Sequence, residues 1–586
     1  MAPSNYKVDD VQAQNGAAAH FHQPTTFEQL LEMFGPMGRW QLWTYFWIYW
    51  IMFWGAIGGT GSAIFMASQQ SYYCEIQPLL KANWTVEQIK NITYAGDKGD
   101  EACYVRDLNY TLLARQSPDT LADEQTKFNG STDSRRRCPQ IRFLKEDDKM
   151  HETMSKTYGI TCDHTKQFWV EAGSLAILKI GMMCGLFFAG WITDRFGRRK
   201  PFLTLVLIAM VFGISQYWVP TFGMLFVCQF LSSAIGGAAF AALYTFNHEI
   251  TNAENRAVVG GAYWLLWGVG YTVAAPLAYW WRDWRSLVLW PAIPDLFGII
   301  MLVFFMSESP RWLLVKNRAK EAEHVARRAA KWNGKQLPEK LDFKALAEKI
   351  SKEHQQLSAK QKTFLSLFER ENGRFKYPVL IRRAFILFLS WNTNSLVFYG
   401  LTYYQFSGNV FVNNALQGFG VILGNVLSIF LLRLSRRWLH VGAFSFATVC
   451  LFTIPWIGEA AEIWQSLVAM VAKSCAVISF TVVYTHTVEL YPTVIRTSGL
   501  STSSAVGRCG SIIAPFITKL PQLNPAIPFL KNVPFFIFGC FAATAAVCVS
   551  FLPETKGKRM PELLDDATTL QPEMAENIEM NEQKKS

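Results

Sequence analysis

Along most of this chain the apolar residues come in long unbroken blocks, not in alternating or one-faced patterns. A helix needs ~20 mostly apolar residues to cross ~30 Å of hydrocarbon. Blocks that meet this length lie at about 42–66, 169–190, 201–219, 222–247, 257–280, 286–306, 384–406, 411–432, 441–456, 464–487, 498–520 and 533–552, and we number them α1 to α12. Backbone amides in lipid must be paired within the segment, so each block is expected to be a helix. The short alternating segments of a membrane barrel are not seen. The pattern predicts an all-α membrane protein with twelve spanning helices. Residues 1–41 form a polar N-terminus, 42–306 and 384–552 two six-helix halves, 67–167 a long polar loop after α1, 307–383 a linker, and 553–586 a polar tail.

Composition agrees: 51% of the 586 residues are hydrophobic and only 17% are charged, against about 25% charged in soluble proteins. The net charge of +11 would suit a polyanion, but its placement points elsewhere. Between Arg311 and Arg383 there are 19 Lys/Arg against 8 Asp/Glu, as expected of a cytoplasmic loop. The 67–167 loop holds all four N-x-S/T acceptors, Asn83, Asn91, Asn109 and Asn129, and four of the eleven cysteines, Cys74, Cys103, Cys138 and Cys162. That combination predicts an oxidised, glycosylated, extracellular loop, with three possible disulfide pairings. An even number of crossings then puts both termini in the cytoplasm of a plasma-membrane protein. Residues 1–38 lack the apolar core of a cleavable leader, so α1 is expected to direct insertion. The aromatic run Trp43, Phe46, Trp47, Tyr49, Trp50 and Trp54 suits either an interfacial belt or a cavity wall, and the stretch Phe27–Phe34 suits a place at the interface.

The halves repeat. Glu249 precedes Arg256 by seven residues after α4, and Glu489 precedes Arg496 by seven after α10. Glu308 follows α6 as Glu554 follows α12. Paired halves with a central site are a common plan of secondary transporters. After α2 stands Gly190-Trp-Ile-Thr-Asp194-Arg195-Phe-Gly197-Arg198-Arg199. This stretch closely resembles the loop 2–3 motif of the major facilitator superfamily.

Within that superfamily the chain resembles the organic cation, anion and carnitine transporter family. The resemblance is carried by the cysteine-bearing loop, Trp284-Arg285, Glu308-Ser-Pro310-Arg311-Trp312, Glu489-Leu-Tyr-Pro492-Thr-Val-Ile-Arg496 and Pro553-Glu554-Thr555-Lys-Gly557. It spans nearly the whole chain and implies the major facilitator fold, alternating access and transport of small amphiphilic organic ions. Asp194, Arg195, Arg198, Arg199, Glu249, Arg256, Glu308, Arg311, Glu489, Arg496 and Glu554 fall at helix ends. There, salt bridges between the halves are expected to hold the inner side shut; the plainer reading is that they anchor the ends.

Charges inside the membrane are costly and usually functional. Counting back from the helix ends, Arg508 lies ~18 Å deep, and Lys179 and Lys473 roughly 22–24 Å deep. The acid Asp295 in α6 is a candidate partner for one of them. Three cations against one acid favour an anionic solute. In the family resemblance, organic-anion members carry Arg at the position of Arg508 and cation members Asp. One departure is that organic-anion members carry Lys in α8 where this chain has Gly424. Trp267, Tyr271, Trp391, Phe398, Tyr399 and Tyr403 are expected to line the pocket, though any one of them also suits plain packing.

No P-loop, C-x-x-C or H-E-x-x-H appears, so no cofactor, metal or enzyme activity is expected, and His248 and His486 read as structural. The expected partners are a small organic ion, a counter-exchanged carboxylate and the lipid bilayer, with no nucleic acid. The alternatives are a cation or zwitterion (carnitine-like) transporter, or a non-transporting glycosylated receptor.

Overall fold

The computed structural model describes residues 23–68, 70–93, 103–115, 135–360, 363–371, 373–406, 408–458, 461–524, 527–558, 561–562, 564 and 567. Asn129 and the end of the tail lie outside these residues.

Twelve helices among the described residues correspond to the twelve apolar blocks: α1 Arg39–Met66, α2 His164–Phe196, α3 Arg199–Ser215, α4 Phe222–Glu249, α5 Arg256–Trp281, α6 Trp284–Phe305, α7 Pro378–Tyr403, α8 Val410–Leu431, α9 Arg436–Thr453, α10 Glu462–Leu490, α11 Arg496–Thr518 and α12 Val533–Ser550. Ten of them are long and apolar enough to cross a membrane. Of the other two, α3 has only 17 residues, and α11 is rich in Ser, Thr and Gly around Arg508. Side-chain caps set several boundaries. Asp163 accepts from Lys166 N and starts α2 before the apolar block begins, and Ser435 caps α9. Within α1 the run Ile57–Gly61 widens to a π turn, a glycine-rich stretch that the apolar pattern did not mark.

Helices α1 to α6 form one bundle and α7 to α12 another. They meet where α2 packs on α11 and α5 on α8. Of the α1 aromatics, Trp47 is buried, Tyr49, Trp50 and Trp54 are half-buried, and Trp43 and Phe46 are exposed. Trp47 meets Phe297 edge-on and stacks on Phe305 of α6, and Trp50 donates to the Pro294 carbonyl at 2.7 Å.

At one end, which we call the insertion end, the segment after α1 forms its own small fold. Strand β1 (Tyr72–Cys74) pairs antiparallel with β4 (Ile141–Phe143), and β2 (Tyr104–Arg106) with β3 (Arg135–Arg137). Disulfides join Cys74 to Cys138 and Cys103 to Cys162, around a core of Tyr73, Leu79, Trp84, Ile89 and Val105. Asn83, Asn91 and Asn109 are exposed on it. It seats on both bundles: His151 N donates to Arg282 O at 2.9 Å, and Val410 N to Asp148 O at 3.1 Å.

At the linker end, helices Pro310–Val315, Ala319–Trp332 and Phe343–Lys360 gather beneath the first bundle. The helix Phe27–Phe34 does not lie free at an interface. Phe27, Leu30, Leu31 and Phe34 are buried against these helices, and Asn333 ties it to α1 through Phe34 O and Trp40 N.

Candidate functional site

The membrane-depth cations converge where the bundles meet, and they are met by rings in place of acids. Lys473 Nζ, fully buried, lies 4.6 Å from the Tyr271 ring centre and 5.1 Å from that of Phe398, donating to Tyr271 OH at 3.4 Å. Lys179 Nζ lies 4.0 Å over the Tyr399 ring. Tyr399 also neighbours Arg508, whose Nη1 is 4.0 Å from Met182 Sδ. Among the described residues none of the three cations pairs with a carboxylate.

The rings form a continuous wall. Trp267 stacks on Tyr271, centroids 6.0 Å apart, and meets Phe398 at 6.3 Å. Tyr399 stacks on Tyr403 at 6.0 Å. Trp391 sits 4.4 Å from Tyr484 and donates to Thr487 Oγ1 at 3.0 Å. Phe480 bridges Trp391 and Phe398. Tyr271, Trp391, Phe398 and Tyr403 are buried, whereas Arg508, Tyr399, Trp267 and Tyr484 retain exposure. Those four can meet a solute in this conformation. The sequence reading missed Phe480 and Tyr484. They follow Lys473 at seven and eleven residues, one face of α10, which was the available signal.

One expectation fails here, and one departure gains a physical reason. Asp295 pairs with none of these cations; its Oδ1 is buried with no hydrogen-bond partner among the described residues, on a helix that packs against α1, α3 and α5. The position where organic-anion members carry Lys in α8 has no room for a side chain. A Cβ on Gly424 would lie 2.7 Å from the Ser474 carbonyl oxygen and 2.7 Å from Val477 Cβ.

In this conformation the linker-end charges pair within each half and not between halves. Arg198 holds Asp194 and Glu249, each at 2.9 Å. Glu308 accepts Arg198 N and Arg199 N at the start of α3, at 2.7 and 3.3 Å. In the other half Arg436 meets Glu489 at 3.4 Å, and Glu554 accepts Arg436 N and Arg437 N at the start of α9, at 2.9 and 3.2 Å. The repeat is therefore a helix-end clamp built twice: a carboxylate after the sixth helix caps the third. Arg256 pairs with Glu28 at 2.5 Å, and Arg496 donates to the Tyr491 and Pro561 carbonyls. Arg195 lies against Trp191 and Phe196, Arg199 donates to Val303 O, and Arg311 lies over Phe27.

The ion pair that does cross between halves was not foreseen. Near the insertion end, Lys519 after α11 meets Glu171 of α2 at 2.8 Å, their side chains 4% and 0% exposed. Close by, Gln405 donates to Ala67 O at 3.1 Å, docking the end of α1 on that of α7. This end of the cleft is shut.

The family model described as "Sugar (and other) transporter" matches residues 141–565. The "Organic cation transporter protein" of Drosophila melanogaster is 28% identical over 472 residues, 80% of this chain and 81% of that one. The "Solute carrier family 22 member 15-like" protein of Xenopus laevis is 30% identical over 394 residues, 66% of this chain and 76% of that one. Among solved structures, the inward open xylose transporter of E. coli superposes with a TM-score of 0.55 at 18% identity, covering 71% of this chain and 92% of that one; at that identity it bears on the fold alone. The chain belongs to the sugar (and other) transporter family, within the organic cation, anion and carnitine transporter group of the major facilitator superfamily. It is a multi-pass membrane transporter and not an enzyme. The receptor reading is set aside.

Proposed function

We propose that this member of the sugar (and other) transporter family carries small amphiphilic organic anions across the plasma membrane by alternating access, as an exchanger or facilitator. The observation that carries the reading is the set of three basic side chains between the halves, Arg508, Lys179 and Lys473, with no carboxylate paired to any of them among the described residues. A site with uncompensated positive charge attracts anions most strongly where water is excluded. In this scheme Arg508 meets the anionic group, because it keeps exposure, while Trp267, Tyr399 and Tyr484 hold the organic body. Lys179 adds positive potential from behind the rings, Lys473 fixes the Tyr271 hydroxyl from its buried position, and a carboxylate exchanged from the other side would use the same groups.

The test is uptake of a labelled aromatic monocarboxylate, a dicarboxylate, a quaternary ammonium and carnitine, in cells expressing the chain or its Arg508→Asp variant. Anion uptake is expected, and it should fall by at least about tenfold in the variant, the order of one lost charge-assisted contact. Anion kinetics unchanged in the variant would remove Arg508 from the path. A second reading, organic cation transport, has its own observation: the ring faces that receive Lys473 and Lys179 also suit an ammonium ligand, and the Drosophila relative is named for cations. Uptake of the quaternary ammonium alone would establish it.

The reading places the insertion end outside the cell and the linker end inside. Glycosidase treatment of the expressed protein should then lower its apparent mass. Combined Asn→Gln changes at Asn83, Asn91, Asn109 and Asn129 should abolish that shift. A chain whose mass does not respond to glycosidase would contradict the orientation.

A further inference from the structure

In this conformation the linker-end charges bind each half to itself, whereas the Glu171–Lys519 pair joins the two halves. Glu171 is fully used as an acceptor. Ser155 Oγ and Gln167 Nε2 donate to Oε1, the latter at 2.8 Å. Lys519 Nζ and Gln522 Nε2 donate to Oε2, at 2.8 and 2.9 Å. Lys519 Nζ also donates to the Ala67 carbonyl at 2.7 Å. One knot therefore ties α1 and α2 of the first half to the end of α11 in the second, and Ser155 brings the disulfide-linked insertion into it.

The energetics of such a knot are bistable. Removing an ion from water costs several kcal/mol, recovered only when its partner and hydrogen bonds are in place. Paired and dry is therefore favourable, as is separated and hydrated, while one charge buried alone is not. An element with two such arrangements is what a transport cycle switches between.

We propose that Glu171 and Lys519 form the outer gate of the transport cycle. The pair joins the halves while the extracellular side is closed, it separates into water when that side opens, and Ser155 couples the insertion to it. The inference rests on the orientation and alternating access proposed above, but not on the choice of solute.

The test is external access to a position that the gate covers. Leu175 lies one turn beyond Glu171 on α2 and is buried in the interface between halves. In the full chain carrying Leu175→Cys, a membrane-impermeant maleimide added outside intact cells should react slowly. The same chain without that cysteine provides the background, and surface biotinylation normalises the rate per molecule. Adding Glu171→Gln or Lys519→Gln should raise the rate by at least about tenfold, since losing one partner of a buried pair penalises the closed state strongly. The exchanged pair Glu171→Lys with Lys519→Glu should bring it back toward the parent rate. If a single variant fails to reach the surface, Ser155→Ala, which keeps the ion pair but removes a hydrogen bond, is read in its place and should raise the rate about twofold to fivefold. A merely structural role would lower surface protein and leave the rate per molecule unchanged. Rates within about twofold of the parent in the neutralised chains, or an exchanged pair as reactive as the single variants, would overturn the gate. Because labelling needs no transported solute, this outcome is separable from failure of the anion reading.

Discussion

Gly185→Leu is expected to yield no folded protein at the cell surface. Gly185 lies where α2 crosses α4, and even a Cβ there would fall inside the Ala234 carbonyl. The next approach up the helix is as close: a Cβ on Gly181 would lie 2.6 Å from Phe230 O. From α4 the contact is returned, since a Cβ on Gly237 would meet Met182 O at 3.0 Å. Small residues let membrane helices pack backbone to backbone, and that contact supplies much of their association. Forcing four more carbons into it must push the helices apart, at a cost of ~3 kcal/mol or more. Fluorescence-detected size exclusion of the tagged protein measures the outcome; a symmetric peak of wild-type height would show that the crossing is more forgiving than its geometry. Gly190→Leu is the control, because nothing lies within 4 Å of its Cβ position.

Glu554→Ala is expected to cost about 3 kcal/mol of stability, through loss of several charge-assisted hydrogen bonds that are not additive. The carboxylate takes the Ser435 hydroxyl and the backbone N–H groups of Arg436, Arg437, Thr555 and Lys556. Burial alone would push its pKa up, but these donors outweigh burial and hold it at about 2. The sign follows directly. A carboxyl depressed in the folded state contributes its full stability above its unfolded pKa, near 4.3. That contribution is lost as pH falls toward about 2. The destabilisation of the variant should therefore be constant between pH 5 and pH 8 (~0.2 kcal/mol or less of drift) and shrink only in more acid solution. Thermal unfolding of the purified pair across pH checks this; a difference that vanishes near neutrality would rule out the clamp.

How much of this could be read from the sequence depended on whether the governing physics was local. The spans were legible because lipid demands length and apolarity at once. Even α11, which carries Arg508, stood out by its place in the repeat. The major facilitator fold was legible from motifs. Which charge meets which was not. Glu249 and Arg256 sit seven residues apart, yet Glu249 pairs with Arg198, 51 residues away in sequence. Glu171 and Lys519 are separated by 348 residues, and each alone resembles a polar residue at a helix end. Asp295 seemed a partner for the cations by depth alone, but depth says nothing about which way a helix faces. The disulfide pairing, left open among three, joins residues 64 and 59 apart in sequence, Cys74 to Cys138 and Cys103 to Cys162, and spacing alone does not choose among such partners.

All the pairings inside the insertion, its strands and both disulfides, close between residues 72 and 162, before the chain reaches α2. During synthesis this unit is complete while 424 residues (586 − 162) are still to come. At ~5–20 residues per second, that is roughly 20–85 s of head start. Disulfide closure inside the insertion can therefore finish before the contacts that seat it on the two bundles, such as His151 N to Arg282 O and Val410 N to Asp148 O, can form. In the orientation proposed above, a substitution that strands this unit reduced would meet the secretory quality control before any spanning helix beyond the first exists. Variants of the insertion and variants of the bundle should accordingly be retained by different chaperones and degraded with different timing, even where their effects on final stability are equal.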